Sequence, residues 1–228
     1  SNYTHPTKTI YEYDYYGLNY NIKKEIYQYI TITDINTDAG IIFQDNKNTL
    51  WLATNIGLYN FNGKKFKNFS KEQNFYKSSV SCIYIDKNQT IWFGGDKGLS
   101  KINKDGETKL YTKKDGMPYL SIRSICEDYA GNLWIGTYGY GFLIYNGKSF
   151  FNIDKNKELS KKIILDIKQD SKNNMWLATS NNGVCRWNSL DSSISWLTEN
   201  DGLSNNNIRL ILEDSWGSYW FATSGGGI

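Results

Sequence analysis

The stretch EDYAGNLWIGT at residues 127–137 decides the fold, because its pattern returns along the chain. It contains Trp134, one of a series of tryptophans separated by 41, 42, 42 and 44 residues. The series consists of Trp51, Trp92, Trp134, Trp176 and Trp220. A nearly constant interval of this kind predicts a structural repeat of about 42 residues.

Other positions of the repeat are filled as regularly as the tryptophan. An isoleucine stands nine residues before each of these tryptophans, glycine or alanine two residues after it, and a further glycine six or seven residues after it. An aspartate stands six residues before it, and these aspartates are Asp45, Asp86, Asp128, Asp170 and Asp214. Five copies of one residue at one position describe a fold rather than an active site. We therefore expect the five tryptophans to lie mostly in the core and the five aspartates to be structural.

The order of these positions predicts four short strands in each repeat. The isoleucine marks a first strand, and the aspartate marks the turn after it, because its side chain can bond nearby backbone N–H groups. The tryptophan opens a second strand, the later glycine opens a third, and aromatic residues such as Phe66 and Phe69 mark a fourth. Four strands in about 42 residues is the size of one propeller blade, and the 3.6-residue period of helical repeats is missing. The sequence therefore predicts an all-β chain, a β-propeller of four-stranded antiparallel blades.

The repeat pattern divides the chain into complete and partial blades. Residues 1–8 are expected to be a tail or an expression remnant, and residues 9–228 to be propeller. Complete blades are expected around the first four tryptophans of the series. Partial blades are expected at 9–30 and 207–228, which gives about five blade-equivalents in all.

Two arrangements of the chain ends are open at this point. Segment 17–22 could pair with segment 219–224 and close a ring of five blades. Alternatively the chain is an arc cut from a larger propeller, which is the arrangement we favour because the pattern stops within a blade. An arc has an apolar blade face at each end, so we also expect self-association through these faces.

Composition argues against several classes of function. The net charge is only +3 and no Lys/Arg run forms a stripe, so no nucleic-acid partner is expected. Cys82, Cys126 and Cys185 form no CxxC pair, and buried free thiols are expected at the first two. No His/Cys/Asp cluster has the spacing of metal ligands, and the only histidine, His5, lies in the expected tail, so no catalytic triad can be assembled from it. We expect no cofactor, no metal and no catalysis.

Several of these motifs resemble the two-component regulator propeller repeat. Segments 127–137 and 213–227 resemble its core, and segments 115–117 and 201–204, which read DGM and DGLS, match its DGL connection. The resemblance extends over roughly residues 9–228. It implies part of a propeller of about seven blades, in the extracytoplasmic sensor region of a hybrid two-component histidine kinase of the kind frequent in Bacteroides.

The resemblance also implies a location, partners and a ligand. The chain would be the periplasmic or extracellular part of a membrane-anchored protein, joined to the other domains of the parent sensor. Many members of the family detect oligosaccharides from polysaccharide breakdown, so an oligosaccharide is the expected ligand. The propeller itself would sense this ligand without catalysis.

Candidate ligand-binding residues follow from the architecture, because function in such folds lies on loops over a rigid scaffold. The connections from a fourth strand to the next first strand carry the candidates Asp115, Tyr119, Arg123, Asp201, Asn205, Asn206 and Arg209. Tyr138 and Tyr140 are not explained by the repeat and could stack on a sugar ring. Arg123 and Arg209 both stand eleven residues before a repeat tryptophan. Both could therefore point into a central funnel and grip an anion, or be partly solvated residues at a strand start.

Two other functions stay open beside ligand sensing. Propellers also host glycosidases and polysaccharide lyases. The sialidase motif, however, places its aspartate one residue closer to the aromatic residue than the six residues found here. The second alternative is a scaffold whose surface binds another protein.

Overall fold

The computed structural model describes residues 39–63, 65–72, 78–118, 121–153 and 158–228. These residues form four antiparallel sheets of four strands and a fifth sheet of two strands. Consecutive strands pair in every sheet, which confirms the predicted all-β blades. The predicted tail at 1–8, the partial blade at 9–30 and the pairing through 17–22 lie outside the described residues.

The strands have the following bounds. The first sheet contains β1 (Ala39–Gln44), β2 (Leu50–Thr54), β3 (Gly57–Phe61) and β4 (Phe66–Asn68). The second contains β5 (Val80–Ile85), β6 (Ile91–Gly95), β7 (Gly98–Ile102) and β8 (Thr108–Tyr111). The third contains β9 (Ile122–Glu127), β10 (Leu133–Thr137), β11 (Phe142–Tyr145) and β12 (Phe150–Phe151). The fourth contains β13 (Ile164–Gln169), β14 (Met175–Thr179), β15 (Val184–Trp187) and β16 (Ile194–Leu197). The fifth contains β17 (Ile208–Glu213) and β18 (Tyr219–Thr223). A four-residue helix, α1 (Phe69–Glu72), follows β4, so Phe69 begins a helix rather than ending the fourth strand.

The sheets stack face to face with their first strands side by side. β5 packs beside β9, β9 beside β13, and β13 beside β17. Within the described residues, no comparable packing joins the fourth strands of neighbouring sheets. The first strands are therefore the inner strands of the stack, as in the blades of a propeller.

Each repeat aspartate closes the turn between the first and second strands. In all five turns the Trp indole Nε1 donates a hydrogen bond to Oδ2 of the aspartate, over 2.8 to 3.0 Å. The other carboxylate oxygen, Oδ1, accepts from the backbone N–H four residues further on in every copy. The turn residue three before each tryptophan has a positive φ, between 62° and 87°, which suits its Asn, Gln or Gly side chain. These contacts show that the aspartates have the structural role expected of them.

The repeat tryptophans pack against the following sheet. Trp51, Trp92, Trp134 and Trp176 are 4 to 6% exposed, as predicted. The prediction is wrong for Trp220, which is 50% exposed. Its indole makes the same bond to its aspartate, but among the described residues no sixth sheet follows to cover it.

The small residue two positions after each tryptophan allows neighbouring sheets to approach closely. A Cβ atom on Gly94 would lie 2.6 Å from a methyl group of Ile122 in the next sheet. A Cβ atom on Gly136 would lie 2.9 Å from a methyl group of Ile164, again in the next sheet. Both distances are shorter than van der Waals contact, so these positions require glycine at this sheet spacing. The three cysteines are buried free thiols, which agrees with the prediction for Cys82 and Cys126.

Candidate functional site

The candidate ligand-binding residues that the structure describes lie at one end of the stack, in its loops or at the strand starts beside them. This end contains the connections from fourth to first strands, such as 198–207 and the described part of the connection that begins at residue 112. It also contains the loops from second to third strands, such as 138–141. We call this end the connection face. The repeat aspartates and their turns lie at the opposite end, which we call the turn face, because the strands alternate in direction.

Asp115 and Asp201 are used to shape their own connections. Oδ2 of Asp115 accepts hydrogen bonds from the backbone N–H and the hydroxyl of Thr112, at 3.0 and 3.2 Å. Oδ2 of Asp201 accepts the same two bonds from Thr198, both at 2.9 Å. The backbone hydrogen bond from Thr112, helped by Lys109, lowers the pKa of Asp115. Both aspartates thus complete capping boxes of single-turn 3-10 helices.

Asn205 and Asn206 likewise make hydrogen bonds within one connection. Oδ1 of Asn205 accepts from the backbone N–H of Asn207 at 2.7 Å. Oδ1 of Asn206 accepts from the backbone N–H of Glu199 at 2.9 Å, and the Glu199 carboxylate accepts from the backbone N–H of Asn206 at 2.8 Å. These side chains hold the shape of the connection, so they are weaker candidates for ligand contact. Tyr119 lies outside the described residues.

Arg123 joins two sheets on the connection face. It is the second residue of β9, and its Nη1 donates a hydrogen bond to the Ser81 hydroxyl of β5 at 2.8 Å. Its Nη2 lies 3.6 Å from a carboxylate oxygen of Asp96, which the Ser121 hydroxyl also contacts at 3.4 Å. The guanidinium lies 4.9 Å from the centre of the Tyr138 ring. The structure therefore brings together two predicted candidates, Arg123 and Tyr138, and adds polar partners that the sequence reasoning missed.

Tyr138 and Tyr140 extend from a short loop that is held at both ends. Their side chains are 52% and 54% exposed. The hydroxyl of Thr137 donates to the carbonyl of Gly141 at 2.7 Å and accepts from the backbone N–H of Tyr140 at 3.2 Å. The backbone N–H of Tyr138 donates to the carbonyl of Ser121 at 3.0 Å. The loop thus presents two aromatic rings to solvent on a fixed backbone.

Arg209 occupies in β17 the position that Arg123 has in β9. Its side chain is exposed, and its Nη2 donates to the Ser224 hydroxyl at 3.4 Å. Strand β13 lies between the two arginine-bearing strands, and Leu165 fills the corresponding position there. That both arginines point into a common funnel stays a prediction.

One ionisable side chain joins the inner strands and was not predicted. The two carboxylate oxygens of Asp166 in β13 accept hydrogen bonds from the backbone N–H groups of Ile167 and of Ile211 in β17, each at 2.9 Å. Burial raises the pKa of Asp166 to about 6, against the opposing effect of Lys168. Asp166 therefore links neighbouring sheets, and its burial keeps the pKa of its carboxyl group above the usual range of an aspartate.

The described part of the chain has neither a cluster of metal ligands nor a membrane-spanning helix. Among the residues that the structure describes, no group of three His, Cys, Asp or Glu side chains could hold a metal ion. In the same ranges, no helix has the length and apolar character needed to cross a membrane.

The sequence matches a known family profile in four segments. The profile described as "Two component regulator propeller" matches residues 77–97, 116–139, 158–181 and 202–225. Each segment covers the end of a connection, a first strand and a second strand.

Several known proteins are similar to this chain. Histidine kinase P4 of Formosa agariphila is 25% identical in an alignment of 192 residues that covers 77% of this chain and 14% of the kinase. The solved extracellular domain of a hybrid two-component system of B. thetaiotaomicron is 28% identical, with a TM-score of 0.70 over 79% of this chain and 26% of that one. Virginiamycin B lyase from Staphylococcus aureus is 19% identical, with a TM-score of 0.65 over 83% of this chain and 64% of the lyase. The lyase shows a shared fold alone, and the chain spans only a small part of the two signalling proteins.

Proposed function

Because this chain belongs to the two-component regulator propeller family, we propose that it is the non-catalytic ligand-sensing module of a membrane-bound two-component sensor. The module would lie in the periplasm or outside the cell and bind an oligosaccharide on its connection face. The observation that carries this proposal is the exposed ring of Tyr138 beside the guanidinium of Arg123, on a loop whose backbone is held by hydrogen bonds.

The chemistry of this cluster suits a sugar. The apolar face of a tyrosine ring can stack on the C–H groups of a pyranose, while its hydroxyl stays in contact with water. The half-exposed carboxylate of Asp96 can accept hydrogen bonds from sugar hydroxyls, and the partly exposed guanidinium of Arg123 can donate them. Since the Ser81 hydroxyl and Asp96 already position the guanidinium, little side-chain freedom is lost on binding.

The same residues give little support to catalysis. The aspartates of the connections complete capping boxes, and the repeat aspartates bind the tryptophan indoles in the turns. A glycosidase would need two carboxyl groups directed at one bond. The similarity to a lyase is a similarity of fold, so it does not favour an enzyme.

Binding measurements with matched variants test the proposal. The chain is screened against a library of oligosaccharides by calorimetry, and the best ligand is then measured with Tyr138→Ala and with Tyr129→Ala. Tyr129 is a matched control, because it is 78% exposed but lies at the turn face. We expect Tyr138→Ala to weaken binding by about tenfold or more, which is about 1.4 kcal/mol, and Tyr129→Ala to leave it unchanged.

Two results would contradict the proposal. One is an oligosaccharide affinity that Tyr138→Ala and Arg123→Ala leave intact. The other is turnover of the bound oligosaccharide, detected as new reducing or unsaturated ends, which would make the chain an enzyme.

A further inference from the structure

The carboxylate beside Arg123 comes from a loop of fixed shape. Asp96 and Lys97 form a two-residue turn between β6 and β7, closed by the pairing of Gly95 with Gly98. Asp96 stands four residues after its repeat tryptophan. The residues at the same position of the other four repeats with a tryptophan are neutral, namely Asn55, Tyr138, Ser180 and Ser224. The acidic group is therefore a feature of this one place on the connection face.

The contact between Asp96 and Arg123 leaves both groups with capacity for a ligand. Oδ1 of Asp96 lies 3.6 Å from Nη2 of Arg123, which is beyond hydrogen-bond distance, and the Ser121 hydroxyl contacts the same oxygen at 3.4 Å. Among the described residues, no hydrogen bond reaches Oδ2 of Asp96. The side chain of Asp96 is 53% exposed and that of Arg123 is 30% exposed. Both groups can therefore contact a molecule that enters from solvent.

The second arginine shows that this position of the repeat can hold an arginine without an acid beside it. Arg209 is the equivalent of Arg123, and its Nη2 donates to the hydroxyl of Ser224. The residue equivalent to Asp96 in the sheet before Arg209 is Ser180. Arg123 itself has a serine hydroxyl of the preceding sheet as a hydrogen-bond partner. The carboxylate of Asp96 is therefore free to act on a ligand.

An acceptor and a donor side by side match the hydroxyl groups of a neutral sugar. One hydroxyl can donate to the carboxylate of Asp96 while its neighbour accepts from the guanidinium of Arg123. An ionised uronate or sulfate group has no proton to donate to Asp96. If such a group bound the guanidinium, it would lie within about 4–6 Å of the Asp96 carboxylate, a separation at which like charges repel. The pair therefore favours ligands without acidic groups.

We propose that Asp96 is a specificity-determining residue, which makes the cluster of Arg123, Asp96 and Tyr138 selective for neutral oligosaccharides over those that carry uronate or sulfate groups. This proposal rests on the proposed sensing function and names the class of sugar. Specificity of this kind combines contacts to the right ligand with a repulsive element against the wrong one. The carboxylate of Asp96 supplies both.

Pairs of sugars that differ only in charge test this selectivity. The probes are trisaccharides of glucose, of mannose and of galactose, each in its neutral form and oxidised at the primary hydroxyl groups to a uronate. Calorimetry measures the dissociation constant of each probe with the natural chain. We expect the natural chain to bind a neutral trisaccharide at least about tenfold more tightly than its oxidised form.

One substitution and a matched control assign the selectivity to Asp96. Asp96→Asn keeps the shape of the side chain but removes its charge, so the preference for the neutral form should fall by about tenfold. Asp105→Asn makes the same change of charge in an exposed residue of the hairpin between β7 and β8, at the turn face. The control should leave the preference unchanged.

The outcomes distinguish this proposal from the sensing function. An oxidised trisaccharide that binds the natural chain as tightly as its neutral form, and binds Tyr138→Ala more weakly, would overturn the role of Asp96 and leave sensing intact. An equal loss of affinity for both forms in Asp96→Asn would do the same, because Asp96 would then only position Arg123. Affinities that Tyr138→Ala leaves unchanged, or binding of none of these trisaccharides, would count against the sensing function and this proposal together.

Discussion

Replacing Trp134 by alanine should separate the core role of the repeat tryptophan from its hydrogen bond. The Trp134 indole is 4% exposed and stacks on Phe142, with ring centres 4.9 Å apart and planes 9° from parallel. It also meets Trp187 of the next sheet edge-on at 6.0 Å. Truncation of a buried tryptophan of this kind costs about 3–5 kcal/mol.

Trp220 offers an internal control for this experiment. Its Nε1 makes the same bond to its aspartate, at 2.8 Å, but its side chain is 50% exposed. About half of the apolar burial is already missing there, so Trp220→Ala should cost only about 1–2 kcal/mol. Urea titration measures the free energy of unfolding of the natural chain and of the two variants. The m-values of the three chains should be equal, so that a shifted midpoint reports a change in stability. Equal losses of unfolding free energy in Trp134→Ala and Trp220→Ala would refute the claim that packing on the next sheet determines the burial of the repeat tryptophan.

Two further predictions concern the links between sheets and loops. Asp166→Asn should remove a pH dependence of the free energy of unfolding. Because the pKa of Asp166 is raised to about 6, the folded chain binds the proton more tightly than the unfolded chain does, so this carboxyl group favours folding at low pH. Its contribution of about 1–3 kcal/mol is lost as the pH rises through about 6. The urea midpoints of the variant and of the natural chain at pH 4 and pH 8 check this. The variant should be more stable relative to the natural chain at pH 8 than at pH 4. A difference in midpoint between the two chains that is the same at both pH values would contradict the prediction. Gly141→Ala should destabilise the fold by about 2–4 kcal/mol and Gly139→Ala by only about 1 kcal/mol. Both glycines have a positive φ, 69° and 91°, but only at Gly141 would the new Cβ lie 2.5 Å from the carbonyl oxygen of Leu159. Chemical denaturation of both variants measures this difference, and equal costs would show that the connection moves aside.

The fold could be predicted because each repeat carries a local contact that repeats with it. The spacing of six residues between Asp128 and Trp134 is the span across which Oδ2 reaches the indole. A contact made within one hairpin leaves its pattern in the sequence of that hairpin. The burial of Trp220 could not be predicted in this way, because it depends on a neighbouring sheet rather than on the residues around it.

The candidate site was predicted less well, for two physical reasons. The position of Asp115 in a connection makes it a ligand candidate, but Thr112 stands three residues before it, a spacing that is typical of a capping box. The partner of Arg123 is a different case, since Ser81 stands 42 residues earlier at the same position of the preceding repeat. Comparing equal positions of adjacent repeats would have found this pair. No local signal could have found the bond from Ile211 to Asp166, which joins backbone and side chain across 45 residues.

The ligand's footprint on the chain tests the sensing proposal most directly. Amide hydrogen exchange is recorded by mass spectrometry with and without a saturating oligosaccharide from the binding screen. The proposal predicts slower exchange in residues 138–141 and at the start of β9, with no change in the turns at 46–48 and 129–131. Protection confined to those turns, or spread evenly over the chain, would contradict a binding site on the connection face.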